Sequence, residues 1–234
     1  MLERKEIYSA FKNSDRPFAH IEYFLEEKET EILYAEKDGL LLVYGGIPVI
    51  FGTKDGETAE RILKILKDPV ILTCSSEEEI CAAKRLFPYM NRVKRVRQVR
   101  YGDVKKPTDG YTAEKLAPTK ENIDFVFSTY SARYPREKIA SLMRRFGFFA
   151  VRIDGKIAGY IGRHDEGSIG ILEVMPEYRN RKIGSFLVYT AAEELKKEGK
   201  IAYAQIVESN EKSLNMHLKI GVVPSEKFIF WLEK

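Results

Sequence analysis

One stretch, residues 172–188 (LEVMPEYRNRKIGSFLV), constrains this 234-residue chain more than any other. It reads as a strand ending at Val174, a turn through Pro176 and a helix opening near Lys182. Between strand and helix stand Arg179, Asn180, Arg181 and Lys182, then Ile183, Gly184 and Ser185. A helix N-terminus offers unpaired backbone N–H groups and the positive end of the helix dipole. Three cations and a small residue at that point therefore describe an anion site.

The remaining composition narrows what the anion can belong to. A hydrophobic fraction of 44% with 12% aromatics suits a globular chain with a substantial core. No apolar run reaches the roughly 18 residues that a membrane span needs. The start, MLERKEIYSAFKNSD, lacks the apolar centre of a signal peptide, so a cytoplasmic protein is expected. With 39 basic against 35 acidic residues, the charge suits a phosphorylated small molecule and makes no demand for nucleic acid. Cys74 and Cys81 have no metal-ligand spacing and read as small buried apolar residues; His20, His164 and His217 are scattered. No metal is expected.

In chain order, residues 2–12 and 17–27 read as helices. The strands EILYAE, LLLVYG and IPVIFG follow, separated by Asp38-Gly39 and Gly45-Gly46. A helix opens at Asp55, the strand PVILTC comes next, and Ser75 or Ser76 caps another helix. RVKRVRQVRY (92–101) reads as an edge strand whose cations form a solvated face, because no aromatic residues interleave for base stacking. DVKKPTDG (103–110) is polar and aperiodic, and divides the chain into an N-terminal α/β domain, 1–103, and a second domain, 110–234. No tandem repeat is visible, yet both halves mix helices with strands, which leaves a diverged structural duplication open.

The second half reads as strand, two helices, then the strands FFAVRID and KIAGYIGRHD joined by Asp154-Gly155, and SIGILEV. The helix after the basic turn places Ile183, Phe186, Leu187, Thr190, Ala191 and Leu195 on one face. Strand IAYAQIV, a helix capped by Ser209 or Asn210 and ended by Gly221, and strand KFIFWLE complete the chain.

This order of elements resembles the GCN5-related N-acetyltransferase (GNAT) superfamily over about residues 110–234. Two motifs carry the resemblance. VMPEYRNRKIGS is similar to the family's acyl-CoA signature, with Arg179 and Gly184 in place but Lys182 where the first Gly is usual. VESNEKSLNMHLKIGV is similar to the closing helix motif: Asn210, Ser213, Lys219 and Gly221 fit, His217 replaces a Tyr and Val222 a Phe. The resemblance implies an α/β (α+β) GNAT fold, a mixed and mostly antiparallel sheet flanked by helices, preceded by a smaller α/β domain. The first half is loosely similar to the degenerate acetyltransferase-like half of glycine N-acyltransferase-like proteins.

The implied activity is transfer of an acetyl or short acyl group from acetyl-CoA to a primary amine of a small molecule or amino acid by direct attack. The alternative is a non-catalytic acyl-CoA-binding regulatory module. By resemblance, Arg179, Asn180, Arg181, Lys182, Ile183, Gly184 and Ser185 bind the pyrophosphate, and the N–H of Val174 or its neighbour faces the thioester carbonyl. Asn210, Ser213 and His217 fall on one stripe facing the cofactor, with His217 as general acid and Glu173 as general base. Lys182 needs explaining: Gly is required there if the backbone has positive φ, and Lys suffices if the residue is helical. His164, Asp165 and Glu166 read as solvated loop residues. Tyr130, Arg133, Tyr134 and Arg136 are placed to select the acceptor, with arginines able to hold a carboxylate. Acyl-CoA and a small amine are the expected partners, without membrane or nucleic acid; a homodimer is left open.

Overall fold

A computed structural model describes residues 1–108, 110–132 and 134–234. The chain separates into two compact units. The first joins Met1–Val99 to Gln205–Leu214 and Pro224–Lys234; the second joins Arg100–Ala204 to Asn215–Val223.

In the first unit, α1 (Arg4–Phe11) and α2 (Ala19–Glu26) precede the meander β1 (Glu31–Glu36), β2 (Gly39–Tyr44) and β3 (Ile47–Phe51). Then come α3 (Gly56–Leu63), β4 (Ile71–Cys74), α4 (Glu77–Leu86) and β5 (Arg92–Arg100). Local chemistry sets these boundaries. Asp55 caps α3 by accepting from the Thr58 N–H at 2.8 Å, and Ser76 caps α4 by accepting from the Glu79 N–H. The meander runs antiparallel and β3 pairs with β4 in parallel, as a helical crossover requires. Strand alternation buries both faces. Leu41, Ile50 and Leu72 meet Ala59, Ile62 and Leu63 of α3, while Tyr44 on the other face meets Tyr23 and Phe24 of α2.

The last strand, β11 (Phe228–Glu233), enters this sheet between β4 and β5 and is antiparallel to both. The order is β1-β2-β3-β4-β11-β5-β10, where β10 is Tyr203–Val207. β5 is therefore an interior strand and not the expected edge, because β11 returns from the far end of the chain to cover it. Its cations are also matched locally. Arg95 and Arg97 lie over the Phe228 ring at 4.1 and 4.5 Å, Arg95 pairs with Glu208 and Lys94 with Glu233. Cys74 is buried as expected; Cys81 is exposed on α4.

After a leading strand, the second half of the chain follows the same element order. β6 (Ala113–Leu116), α5 (Lys120–Thr129) and α6 (Arg136–Phe146) precede the meander β7 (Phe148–Ile153), β8 (Lys156–Arg163) and β9 (Ile169–Val174). α7 (Ile183–Lys197) follows; β10 and α8 (Glu211–Lys219) each run from one unit into the other. The β7–β8 turn at Asp154-Gly155 has φ of 49° and 75°, the left-handed pair that such a hairpin turn requires. β6-β7-β8-β9 form a four-stranded sheet with β9 at its edge. α5 and α6 cover one face through Ile123, Val126, Ile139 and Met143 against Phe148, Ala150 and Tyr160. On the other face, an added Cβ at Gly159 would meet Ile183 and Leu187 of α7, so Gly159 allows that helix its close approach.

Candidate active site

β9 carries an irregularity that shapes the site. Its register with β8 shifts between Tyr160 and Gly162, and Ile171 is held at φ 52°, costly for a β-branched residue. Beyond this bulge Val174 lies opposite Gly159 and Glu173 opposite Tyr160. The Met175 N–H donates to the Ala158 carbonyl at 3.0 Å. Alternation along the strand turns the Val174 N–H the other way, towards the open edge of β9. The Val174 carbonyl accepts from Arg179 Nε at 3.1 Å.

The turn after β9 is a single 3-10 turn, Pro176–Tyr178, leading to Arg179. Asn180 and Lys182 both have φ of 63°. Lys182 is thus in the left-handed region, the case in which Gly is the unstrained choice, and it is the residue immediately before α7. The Tyr111 hydroxyl donates to the Arg181 carbonyl at 2.9 Å and anchors the turn.

The first hydrogen bond of α7 runs from Phe186 N–H to the Lys182 carbonyl, leaving the N–H groups of Ile183, Gly184 and Ser185 outside the helix ladder. Among the described residues no side chain caps this end, and its first turn holds no acidic residue. Arg179, Arg181 and Lys182 are exposed around it. The N-terminus of α3 makes the contrast: the Asp55 carboxylate occupies it and Glu57 adds a second negative charge. The chain therefore presents an anion-receptive helix end at α7 and closes the equivalent end at α3.

The predicted site residues divide as follows. Within the second unit, the edge of β9, the basic turn, the start of α7 and the Asn215–Val223 segment come together. An added Cβ at Gly184 would lie 3.4 Å from Met216 Sδ and 3.6 Å from Val174 Cγ2, so α7, α8 and β9 meet at this glycine. His217, next to Met216, is only 3% exposed, and its Nε2 lies 2.5 Å from the Tyr101 hydroxyl. Tyr101 is itself 4% exposed, and burial pushes its phenol far above the ordinary range, so it stays protonated. Asn210 and Ser213 lie in the first unit: Asn210 Oδ1 caps α8 by accepting from the Ser213 N–H at 3.1 Å.

Glu173 faces away from α7. Its neighbours Leu172 and Val174 point to Gly184, and alternation sets Glu173 beside Tyr160 on the α5–α6 face. Its carboxylate lies 3.6 Å from Arg179 Nη2 and its side chain is 17% exposed. Two neighbours depart from the sequence expectation. Glu166 is buried and accepts from Ser168 Oγ at 2.5 Å, and His164 Nδ1 pairs with the Tyr134 hydroxyl at 3.1 Å. Neither is a solvated loop residue, because the β8–β9 turn folds back under the helices. Tyr101 carried no sequence signal; its role depends on a contact between positions 116 residues apart. Arg133 lies outside the described residues.

Comparison with known proteins agrees with this geometry. The sequence profile of the acetyltransferase (GNAT) family matches residues 115–222. A search of curated proteins finds no match. Among solved structures, a Drosophila protein is similar at 14% identity and TM-score 0.69, covering 99% of this chain and 88% of its own. A GCN5-related N-acetyltransferase from Kribbella flavida is similar at 12% identity and TM-score 0.60, with 92% and 93% covered. A tandem GNAT protein from the clavulanic acid biosynthesis pathway is similar at 14% identity and TM-score 0.52, with 97% and 92% covered. The chain has the mixed, mostly antiparallel fold of these structures, and the acetyltransferase (GNAT) profile is similar to it over residues 115–222.

Proposed function

We propose that the protein is an N-acetyltransferase that moves an acetyl or short acyl group from acyl-CoA to a primary amine of a small molecule. The observation that carries this reading is the uncapped, acid-free N-terminus of α7, ringed by Arg179, Arg181 and Lys182 beside the open edge of β9. Acetyl-CoA supplies an activated thioester when bound. The N–H groups of Ile183, Gly184 and Ser185 hold the pyrophosphate, with Arg181, Lys182 and the Asn180 backbone around it. The Val174 N–H, turned outward, stabilises negative charge on the carbonyl oxygen under attack. Glu173 removes a proton from the substrate ammonium. His217 returns a proton to the departing sulfur, oriented by its contact with Tyr101. Asn210 caps the start of α8 by accepting from the Ser213 N–H.

The first half, residues 1–103, is on this reading a degenerate acetyltransferase-like domain. It repeats the order α-α-β-β-β-α-β-α-β, and Asp55 with Glu57 removes its capacity for phosphate. The tandem GNAT neighbour supports that division. A cytoplasmic location accompanies the use of acetyl-CoA; among the described residues no helix is long and apolar enough to cross a membrane. The alternative, an acyl-CoA-binding regulatory module, draws support from the near-complete burial of His217. Calorimetric titration with acetyl-CoA, followed by thiol release with a panel of amines, decides between them. Binding with amine-dependent thiol release is expected; binding without release selects the regulatory module, and no binding rejects both.

A further inference from the structure

The face of the second sheet that carries Glu173 holds a set of aromatic side chains left partly open at the edge of a packed core. Tyr130, Tyr134, Phe125 and Met175 are only partly buried against the cluster formed by Val126, Ile139, Met143 and Tyr160. Tyr130 and Tyr134 meet edge to face at 5.5 Å, and Phe125 meets Tyr160 in the same way at 6.1 Å. Thr129 Oγ1 lies 3.1 Å from the Tyr160 hydroxyl, so that phenol is already engaged. Glu173, directly across from Tyr160 in the register, brings a carboxylate to this surface, while the Glu166 carboxylate is buried and bonded to Ser168 Oγ. The Tyr130 phenol registers both: burial chiefly, then the charges of Glu173 and Glu166, push it up to about 12.

Among the described residues of α6, the two cations nearest this surface are engaged with carboxylates. Arg136 Nε bonds Asp124 at 2.5 Å and Lys138 pairs with Asp165. Arg179 approaches Glu173 only to 3.6 Å, longer than a hydrogen bond, and sits on the side of the basic turn. The surface thus joins negative charge to aromatic rings, a combination that attracts an ammonium through its charge and through the ring faces. It repels a carboxylate.

Resting on the acyl-transfer reading, we infer that the acceptor is a cationic primary amine carried on an apolar or aromatic group, without an adjacent carboxylate. Glu173 receives the ammonium, and Tyr130, Tyr134 and Met175 receive the group that bears it. In the reaction Glu173 takes one proton. The freed nitrogen forms the C–N bond as the thioester C–S bond breaks, and the bonding pair leaves with sulfur. Of the two protons the ammonium loses, one ends on that sulfur and one in solvent.

The test is a matched pair of acceptors, phenethylamine and phenylalanine, which differ by the carboxylate alone. Thiol release from acetyl-CoA by the full-length protein should give a kcat/KM at least tenfold higher for phenethylamine. Glu173→Gln should lower that kcat/KM tenfold or more and bring the amine-to-amino-acid ratio towards one. Tyr130→Ala should raise the KM for phenethylamine at least fivefold while the KM for acetyl-CoA, which also reports that the variant is folded, stays within twofold. Equal or better use of phenylalanine overturns the inference, as does use of neither acceptor by protein that binds acetyl-CoA. Failure to bind acetyl-CoA instead rejects the acyl-transfer reading on which it rests.

Discussion

The Tyr101 hydroxyl lies 2.5 Å from His217 Nε2, and both side chains are buried. The bond to a protonated phenol fixes the Nε2 side of the buried imidazole. If His217 is the general acid, His217→Phe should lower kcat by about 100-fold, within the range of a lost acid–base group. The acyl-CoA dissociation constant should change by less than about threefold. Tyr101→Phe should lower kcat less and cost about 1–3 kcal/mol of stability, since it strips a partner from a buried polar atom. Stopped-flow thiol release and denaturant unfolding measure the two effects. Unchanged turnover in both variants would remove His217 from the chemistry.

Lys182 occupies a left-handed position with φ of 63° immediately before α7. A left-handed conformation costs a non-glycine residue about 1–2 kcal/mol, partly offset by the greater chain entropy that Gly loses on folding. Lys182→Gly should therefore stabilise the protein by up to about 1 kcal/mol, a rise of about 2–4 °C in Tm for a chain of this size. If the ammonium contacts phosphate, the variant should bind CoA several-fold more weakly at low salt, and the gap should close as ionic strength rises. Equal affinity at every salt concentration would mark the charge as incidental.

His20, fully buried in the first unit, accepts through Nδ1 from Gln98 Nε2 at 3.0 Å. Desolvation lowers its pKa to about 3. The unfolded chain has the ordinary value near 6.5, so between these limits the unfolded state binds the extra proton. Stability is then complete above about pH 6.5 and falls with acidification by about 1.4 kcal/mol per pH unit until about pH 3. Denaturant unfolding at pH 7 and pH 5 should differ by about 2 kcal/mol from this group, and His20→Asn should lack that part of the loss. An identical pH dependence in the variant would contradict the assignment.

Glu79 has no exposure to solvent and accepts from Ser75 N–H, Ser75 Oγ, Thr53 N–H, Thr53 Oγ1 and Arg16. It ties the start of α4 to the end of β3 and to the segment after α1. Glu79→Gln keeps the volume but turns an acceptor into a donor facing N–H groups, and removes the ion-pair partner of Arg16, which keeps its bond to Ser75 Oγ. A loss of about 2–4 kcal/mol is expected by equilibrium unfolding. A change below about 1 kcal/mol would mean that the network is dispensable.

Much of the local structure was legible because its causes act within a few residues. The helix expected to open at Asp55 is capped by it, Ser76 and Asn210 are the caps among the two residues the sequence offered at each helix, and Asp154-Gly155 turns its hairpin. The apolar stripe of α7 is buried along Ile183, Phe186, Leu187, Ala191 and Leu195. The strand, turn and helix start of residues 172–188 were legible too, since their signals are adjacent in the chain. β5 was misread as an edge. Its alternation is that of a half-buried strand, and nothing in its composition announces that β11 will pair with it from more than 120 residues away.

The same division separates what residues 172–188 establish alone from what folding adds to them. Short-range rules determined the strand, the turn, the helix and the cations between them. Whether Lys182 is helical or left-handed, which way Arg179 turns and which face Glu173 takes depend on the bulge at Ile171 and the packing at Gly184. So does the burial of His217 against Tyr101. These are outcomes of pairings distant in the chain, where the free energy belongs to the packed arrangement and no local pattern encodes it.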